Sequence, residues 1–270
     1  MDKEGNRALR FGLPYLIETA DVAAAAALCA RLGLHFVELN SNFPACGLAQ
    51  LAALPLREIA KQRGIIFTLH VDDRFDPFDF NPLVREAYAQ TMLSAIALAG
   101  KAGMPVINMH IPRGNIVTLP SGPRYLYEEY GQQFTLAVVD FRDRCSRAAG
   151  DSGVHIAIEN TTFWAPYELR AIELLLQSPT FGLCLDTGHD HAEGNRDLAF
   201  IDRHAQRLIH MHAHDGQGKR NHQALGTGEI PLQERLDMAE RAGATVVLEV
   251  KTVAALEQSV AWLRAEGLLS

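Results

Sequence analysis

Residues 154–186 read VHIAIENTTFWAPYELRAIELLLQSPTFGLCLD and contain one complete unit of the fold. The unit begins with an apolar run of strand length at residues 154–159, and a second such run follows at residues 181–185. Between them, residues 166–177 carry apolar side chains at the spacing of an amphipathic helix. A strand, a helix and a second strand in this order are typical of a parallel sheet.

The same unit recurs along the whole chain. Eight strands are predicted, at residues 11–17, 34–39, 65–70, 106–110, 154–159, 181–185, 208–212 and 245–249. Eight helices are predicted, at residues 20–32, 48–63, 82–102, 126–149, 166–177, 197–206, 231–242 and 253–266. Several helices are followed by a glycine that can adopt the left-handed cap, namely Gly33, Gly64, Gly103, Gly243 and Gly267.

Eight units without a Pro-, Ser- or Gly-rich linker predict a single (β/α)8 barrel domain spanning residues 1–270, since such barrels take roughly 250 residues. A doubly wound open sheet has the same order of elements and is the alternative fold. No Gly-x-Gly-x-x-Gly or Walker-type loop follows the first strand. The nucleotide-binding form of the open sheet therefore lacks its main sequence signature.

Composition narrows the class of protein. The chain has 48% hydrophobic and 21% charged residues, which is ordinary for a globular protein. No apolar run reaches the roughly 18 residues that cross a bilayer, and the first residues, MDKEGNR, lack the apolar segment of a signal peptide. We therefore expect a cytoplasmic protein with no membrane partner.

The cysteines and the net charge exclude further classes. The four cysteines are widely spaced and form no Cys-x-x-Cys pair, so we expect buried free thiols rather than disulfides or a zinc ribbon. A net charge of -7 opposes binding to a polyphosphate, because nucleic-acid affinity rests largely on Lys and Arg. The expected partner is a small carbohydrate or keto acid, and a homo-oligomer is left open.

Side-chain alternation predicts which polar residues face the inside of the barrel. In the fifth strand, Val154, Ile156 and Ile158 form the set that packs under helices, which leaves Glu159 as the last inward residue. By the same alternation, five more strands end in an inward carboxylate or imidazole: His70, His110, Asp186, His212 and Glu249.

These strand ends meet on one face of a barrel, where barrel active sites lie. Taken singly, a histidine or an acid at a strand end is more often a cap or a hydrogen-bonded residue of the barrel rim than a metal ligand. Together, three carboxylates held close to one another repel unless a cation neutralises them. The sequence therefore predicts a divalent-metal site.

The residues resemble the xylose-isomerase-like barrels, a family that includes sugar epimerases, hydroxypyruvate and inosose isomerases, and the endonuclease IV repair enzymes. The resemblance spans nearly the whole chain. It rests on LH at 69–70, MHIP at 109–112, IENT at 158–161, CLDTGH at 184–189, HAHD at 212–215, His222 with GTGEI at 226–230, and LE at 248–249.

The resemblance implies a ligand set. In the family's isomerases and epimerases, the residues that match Glu159, Asp186, His212 and Glu249 hold one divalent ion, and the two glutamates flank the substrate. The match to His189 contacts substrate in epimerases and a further zinc in endonucleases.

Other residues receive weaker assignments as substrate contacts or as ligands of a second metal. His70 and His110 match endonuclease zinc ligands, and His222 matches a histidine that lies two residues after an aspartate ligand of the third zinc. Arg220 stands where the endonucleases have an aspartate ligand of that zinc, so it opposes a third ion and is a candidate substrate contact. Glu38 and Asn160 complete this group, as inward or pocket-wall residues at strand ends.

The chemistry implied is proton transfer next to a carbonyl. A metal-stabilised enediolate would form when a 2-hydroxy ketone sugar loses a proton to one glutamate. Return of the proton by Glu159 or Glu249 at the same carbon gives epimerisation, and return at the neighbouring carbon gives isomerisation. The oxygen-rich ligand set suits Mn, Mg or Co, Zn stays open, and a second ion is expected only if His70 and His110 join.

Two other functions compete with a metal-dependent sugar isomerase or epimerase. The first is endonuclease IV-like hydrolysis of abasic DNA, which the acidic charge and Arg220 oppose. The second is a barrel that binds a ligand or protein without catalysis. Residues 72–80, which mix acids with aromatics, are a candidate lid over the site.

Overall fold

The computed structural model describes residues 9–270 and contains a closed barrel of eight parallel strands. The barrel strands are β1 (Arg10–Pro14), β2 (Phe36–Asn40), β3 (Ile66–His70), β4 (Val106–His110), β5 (His155–Glu159), β6 (Phe181–Asp186), β7 (Leu208–Ala213) and β8 (Thr245–Leu248). Each strand pairs with its neighbour in chain order, and β1 closes the barrel against β8. The predicted (β/α)8 barrel is thereby confirmed over the open sheet. The predicted domain range also includes residues 1–8, which lie outside the described residues.

Helices surround the barrel. The main ones are Val22–Leu32, Leu56–Arg63, Pro82–Ala102, Gly131–Ala149, Pro166–Leu175, Leu198–Arg203, Leu232–Ala242 and Val253–Ala265. All five glycines predicted after helices have positive φ, at Gly33, Gly64, Gly103, Gly243 and Gly267. Within the described residues, no helix is both long enough and apolar enough to cross a bilayer.

The alternation of strand side chains separates two kinds of core. Side chains such as Phe11, Leu13 and Val37 belong to the large apolar cluster between the barrel and the helices. Inside the barrel, Ala157 and Cys184 pack against Val106 in a separate small cluster. The polar inward residues of the same strands therefore lie above an apolar floor. All four cysteines are buried and free, as predicted.

Two predicted helices are each divided in the structure. The range 48–63 contains Leu48–Ala53 and Leu56–Arg63, because Pro55 cannot continue a helix and Leu54 before it is extended at φ -91°, ψ 147°. The range 126–149 contains Leu126–Glu129 and Gly131–Ala149, with a break at Tyr130. In both places the apolar periodicity of the sequence continues through a break in the helical backbone. The periodicity alone therefore predicts one helix where the structure has two.

Strand β1 is shorter than predicted. The prediction extends to residue 17, whereas the strand ends at Pro14. Tyr15 and Leu16 remain buried in the loop, but Ile17 is 80% exposed. The apolar run therefore continues past the strand.

Three elements were not predicted. Two antiparallel hairpins follow β4 and β7: Ile116–Leu119 with Gly122–Tyr125, and Asp215–Gln217 with Arg220–Gln223. A short helix, Thr187–Ala192, begins directly after β6. The second hairpin and the short helix both carry histidines to the carboxyl end of the barrel.

Candidate metal centre

Four of the predicted site residues converge at the carboxyl end of the barrel. Glu159 ends β5, Asp186 ends β6, His212 lies near the end of β7, and Glu249 follows β8. One ligand atom from each lies within 4.8 Å of the ligand atoms of the other three. We refer to these four side chains as the four-residue centre.

The imidazole of His212 lies between the two glutamates. Its Nδ1 atom is 3.1 Å from Glu159 Oε1 and 3.1 Å from Glu249 Oε2. Among the described residues, neither His212 Nδ1 nor Glu249 Oε2 has a hydrogen-bond partner, although both atoms are buried. Buried polar atoms nearly always have a hydrogen-bond partner, so His212 Nδ1 and Glu249 Oε2 are suited to binding a cation.

Electrostatics favour positive charge at the same point. Burial opposes protonation of His212, yet the carboxylates of Glu159 and Glu38 raise its pKa well above the ordinary value. A proton on Nδ1 or a metal ion in its place would relieve the repulsion between the carboxylates. Three carboxylates and one imidazole make an oxygen-rich donor set that suits Mn²⁺, Mg²⁺ or Co²⁺. The residues present therefore fit a divalent ion.

The second oxygen of Glu159 is held by donors from β3 and β4. Oε2 accepts a hydrogen bond from Asn108 Nδ2 and lies 3.2 Å from His70 Nε2 and 3.6 Å from His110 Nε2. Burial alone would raise the pKa of Glu159, but the imidazoles of His212 and His110 hold it well below its usual range. Glu159 is therefore a fixed carboxylate with one free oxygen.

His70 and His110 lie beside the four-residue centre, where Asp73 completes a second cluster with ligand atoms within 4.8 Å of one another. The Nδ1–H of His70 donates to the carbonyl of Val71 at 2.5 Å, so its Nε2 atom faces Glu159. Burial opposes the charged form of His70, yet its hydrogen bond with Glu159 raises its pKa to about 9. These histidines can support Glu159 or bind a second ion through the same nitrogens.

The candidate lid is anchored in the core. In residues 72–80, Phe75 and Phe78 are buried, and Phe78 packs edge-on against Phe134 and Phe141 at 5.5 Å. Lid movement therefore stays an untested prediction.

Asn160 holds the backbone of Asp186. Its Oδ1 accepts the Asp186 N–H at 2.8 Å, and its Nδ2 donates to the Asp186 carbonyl at 3.1 Å. Asn160 is completely buried. The predicted role as a substrate contact is untested, and its observed contacts position a proposed ligand.

The side chain of Asp186 is held by two histidine residues. Oδ1 accepts the backbone N–H of His189 at 2.7 Å, which caps the helix Thr187–Ala192. His214 Nε2 lies 3.0 Å from the same oxygen. The Nδ1 of His214 accepts the backbone N–H of His222 at 2.8 Å, so its proton is on Nε2 and points toward Asp186.

His189 and His222 approach from the short helix and the second hairpin. With His214 they form a cluster whose ligand atoms lie within 4.8 Å of one another, but both nitrogens of His214 are already engaged. His222 has a left-handed backbone at φ 55°, and its Nδ1 donates to the Glu249 carbonyl at 3.3 Å. Burial lowers the pKa of His222 to about 4. His222 thus presents a neutral Nε2 atom, and the imidazole of His189 lies beside it, so both side chains can contact substrate or a further ion.

Glu249 belongs to the four-residue centre, whereas Arg220 lies outside it. The Oε1 atom of Glu249 pairs with Lys251 Nζ at 2.8 Å, which leaves Oε2 toward His212. Arg220 begins the second strand of the hairpin and is exposed, with no ion pair to any residue from 9 to 270. The structure therefore does not bring Arg220 into the four-residue centre, and its role in substrate binding is untested.

Glu38 lies deeper than the rim. Its Oε1 is 2.9 Å from His212 Nε2, and its Oε2 is 2.9 Å from His210 Nε2. Burial alone would raise the pKa of Glu38, but the imidazoles of His212 and His210 hold it below its usual range. Both oxygens are engaged inside the barrel rather than at its mouth.

The sequence interpretation missed three residues that contact the proposed ligands: Asn108, His210 and His214. Each lies two residues from a predicted inward residue of the same segment, either His110 or His212. The alternation that identified the strand ends would therefore have identified all three.

The sequence of the chain matches the model of a family described as xylose isomerase-like TIM barrel over residues 26–266. Comparison with curated proteins gives no match.

Solved structures with the same fold cover nearly the whole chain. A D-tagatose 3-epimerase-like protein has a TM-score of 0.77 and 19% identity, with 95% of this chain and 96% of that chain covered. D-Psicose 3-epimerase with D-tagatose from Clostridium cellulolyticum H10 has a TM-score of 0.74 and 16% identity, with coverage of 97% and 99%. The IolI protein with a bound zinc atom has a TM-score of 0.71 and 15% identity, with coverage of 97% and 98%. At these identities the likeness establishes the fold.

Proposed function

Because the chain belongs to the xylose isomerase-like TIM barrel family, we propose that it is a divalent-metal-dependent isomerase or epimerase of a sugar, polyol or small hydroxy-keto acid. The observation that carries the proposal is the convergence of Glu159, Asp186, His212 and Glu249 to within 4.8 Å. The unpartnered, buried Nδ1 of His212 supports a cation among them.

The similar structures support the class of substrate. Two of them are named as a D-tagatose 3-epimerase-like protein and a D-psicose 3-epimerase with D-tagatose, and both align over 95% or more of this chain. A ketose is therefore the first substrate class to test. The identity of the substrate depends on the site and not on the fold, so the fold leaves it open.

The proposed metal would be held by the four-residue centre. When bound, a divalent ion would supply Lewis acidity that stabilises negative charge on a substrate oxygen. The choice among Mn²⁺, Mg²⁺, Co²⁺ and Zn²⁺ stays open, and so does a second ion at His70 and His110.

Glu159 and Glu249 are the proposed acid and base. They belong to different strand ends, and each has an oxygen 3.1 Å from His212 Nδ1; we propose that a substrate bound at this centre has one carboxylate on each face. Their surroundings differ, because the Glu159 side chain is 1% exposed and the Glu249 side chain is 17% exposed. We assign the removal of the substrate proton to the more accessible Glu249. Glu159 would donate a different proton to the opposite face, taken up from the His70 imidazolium, whose Nε2 lies 3.2 Å from Glu159 Oε2.

Hydrolysis of abasic DNA is the second candidate function. The clusters around His70 and His222 favour it, because they offer nitrogen ligands for further ions. The net charge of -7 opposes it, because a nuclease must attract phosphates. Binding to abasic duplex DNA that weakens steeply with added salt would support the nuclease.

The deciding experiment measures metal content and proton exchange together. Purified protein is analysed for bound metals, stripped with a chelator and reloaded with Mn²⁺ or Co²⁺. A panel of ketoses, polyols and keto acids is then incubated with it in D₂O. We expect deuterium at one substrate carbon, lost on stripping and restored by the metal.

The matched control is Glu257→Gln, which changes an exposed glutamate paired with Arg31. This variant should exchange protons at the wild-type rate. Exchange that is unaffected by stripping would contradict metal dependence. A protein that binds sugars without any exchange would instead be a non-catalytic barrel. The cytoplasmic location and any homo-oligomer stay predictions.

A further inference from the structure

Glu38 contacts the proposed metal ligand His212 from inside the barrel. It belongs to β2, which is separated around the barrel by β1 and β8 from β7, the strand that carries His210 and His212. The side chain is 3% exposed, and each of its oxygens lies 2.9 Å from the Nε2 atom of one histidine. Glu38 therefore bridges the two imidazoles inside the barrel.

The bridge determines where the histidine protons lie. A carboxylate can only accept hydrogen bonds, so His210 and His212 must both carry a proton on Nε2. The lone pair of a neutral His212 is then on Nδ1, the atom 3.1 Å from Glu159 Oε1. Without the carboxylate, His212 could carry its proton on Nδ1 instead, and the ligand atom would be lost.

The contacts of His210 are also consistent with a proton on its Nε2 atom. His210 Nδ1 lies 2.6 Å from Thr245 Oγ1, and a hydroxyl can donate to that nitrogen. The chain of hydrogen bonds therefore runs from Thr245 to His210 and then to Glu38. This second anchor prevents the carboxylate from turning away from His212.

We infer that Glu38 is a positioning residue that holds His212 with its Nδ1 lone pair facing the four-residue centre. The inference rests on the proposed function, because it assumes that a divalent ion binds at that centre. Hydrogen-bonded carboxylates behind metal-binding histidines fix the tautomer and the ring orientation, and their loss typically weakens metal binding roughly 10- to 100-fold.

A competing position for an ion is the interior cluster of Glu38, His210 and His212, whose ligand atoms also lie within 4.8 Å of one another. The 2.9 Å separations are hydrogen-bond distances, and all three side chains are at most 3% exposed. An ion there would have to displace both Nε2 protons at a position that is almost completely buried.

The first test compares the Mn²⁺ affinities of Glu38→Ala, Glu38→Gln and wild-type protein by titration calorimetry. Loss of the carboxylate in Glu38→Ala should weaken binding roughly 10- to 100-fold. Glu38→Gln should retain more affinity, because its amide oxygen can still accept the His212 Nε2–H. Its NH₂ can donate to His210 Nε2 once the His210 proton moves to Nδ1, where Thr245 Oγ1 can accept it. Glu38→Leu fills a similar volume but offers no hydrogen-bond acceptor, so an affinity as weak as that of Glu38→Ala would separate the lost hydrogen bond from lost packing.

The control is Glu168→Gln, a change of the same kind at a glutamate that is 1% exposed but contacts Ala165 and Arg113 instead of the proposed ligands. It should bind Mn²⁺ as wild type does. Melting temperatures of the metal-free variants identify any variant that fails to fold. If Glu38→Ala fails to fold, Glu38→Gln is compared with wild type instead.

The second test is a crystal structure of the wild-type protein with Mn²⁺, located by its anomalous scattering. We expect the ion on His212 Nδ1, with Nε2 still bonded to Glu38. An ion on Nε2, or in the interior cluster, would overturn the inference. Wild-type protein that binds none of Mn²⁺, Mg²⁺, Co²⁺ and Zn²⁺ would overturn the proposed function as well, whereas wild-type affinity in both Glu38→Ala and Glu38→Gln would overturn the positioning role alone.

Discussion

Gly188 leaves the space that the imidazole of His214 occupies. A Cβ atom built on Gly188 would lie 1.9 Å from His214 Cε1 and 2.3 Å from His214 Nδ1. No side chain larger than hydrogen fits there unless His214 moves. Since His214 Nε2 lies 3.0 Å from Asp186 Oδ1, the missing side chain at Gly188 determines how a proposed metal ligand is held.

Gly188→Ala should therefore weaken metal binding while the barrel stays folded. The added methyl group would displace His214 from Asp186, and we expect Mn²⁺ affinity to fall about tenfold, as for other supporting contacts behind a metal ligand. Titration calorimetry measures the change. Gly131→Ala is the control, because nothing lies within 4 Å of a Cβ at Gly131. Equal affinities in the two variants would mean that His214 does not support Asp186.

Glu249→Gln should abolish proton exchange with the fold intact. The amide keeps the shape of the side chain but cannot accept a proton, and it is a poorer metal ligand than a carboxylate. The exchange rate in D₂O and the circular dichroism spectrum are compared with wild type. Full activity would show that Glu249 is not part of the site. A loss of structure that accounts for the lost activity would indicate a structural role.

Asn160→Ala should destabilise the protein. The change leaves the N–H and the C=O of Asp186 buried without their present partners. An unsatisfied buried group costs about 1–3 kcal/mol, so we expect a loss of ~2–4 kcal/mol in the free energy of unfolding. Urea unfolding of the metal-free protein measures it. Asn42→Ala, which removes an exposed contact to the Asp73 N–H, should change stability by less than about 1 kcal/mol.

The barrel and the convergence of its strand ends could be predicted because alternation along a strand is a geometric rule. It placed Glu159, Asp186, His212 and Glu249 on one face without any knowledge of loops. The same rule did not give the depth of Glu38. Whether an inward residue lies at the mouth or beneath it depends on the stagger of the strands, which a single strand does not encode.

The loops were less predictable than the strands. The hairpin that carries His222 contains residues 215–217 and 220–223, which are too short and too polar for the apolar pattern of a strand. It is held instead by Asp215, whose carboxylate accepts the backbone N–H groups of Gly228 and Ile230. Contacts of this kind join distant residues, so local patterns do not reveal them.

Glu168 is a buried carboxylate outside the four-residue centre. Its Oε2 accepts the Ala165 N–H at 2.6 Å, and its Oε1 lies 3.4 Å from Arg113 Nε. Burial raises the pKa of Glu168 from 4.5 to about 7. The folded protein therefore retains this proton at pH values where the unfolded chain has lost it.

The sign of the pH dependence follows from that difference. The stabilising effect of the protonated Glu168 is fully present below pH 4.5 and is lost as the pH rises through about 7. Glu168→Gln stays neutral at every pH, so its stability relative to wild type should increase between pH 5 and pH 8 by ~2–3 kcal/mol. Urea unfolding at several pH values measures this difference. A flat profile for Glu168→Gln would mean that Arg113 keeps the carboxylate ionised throughout this range.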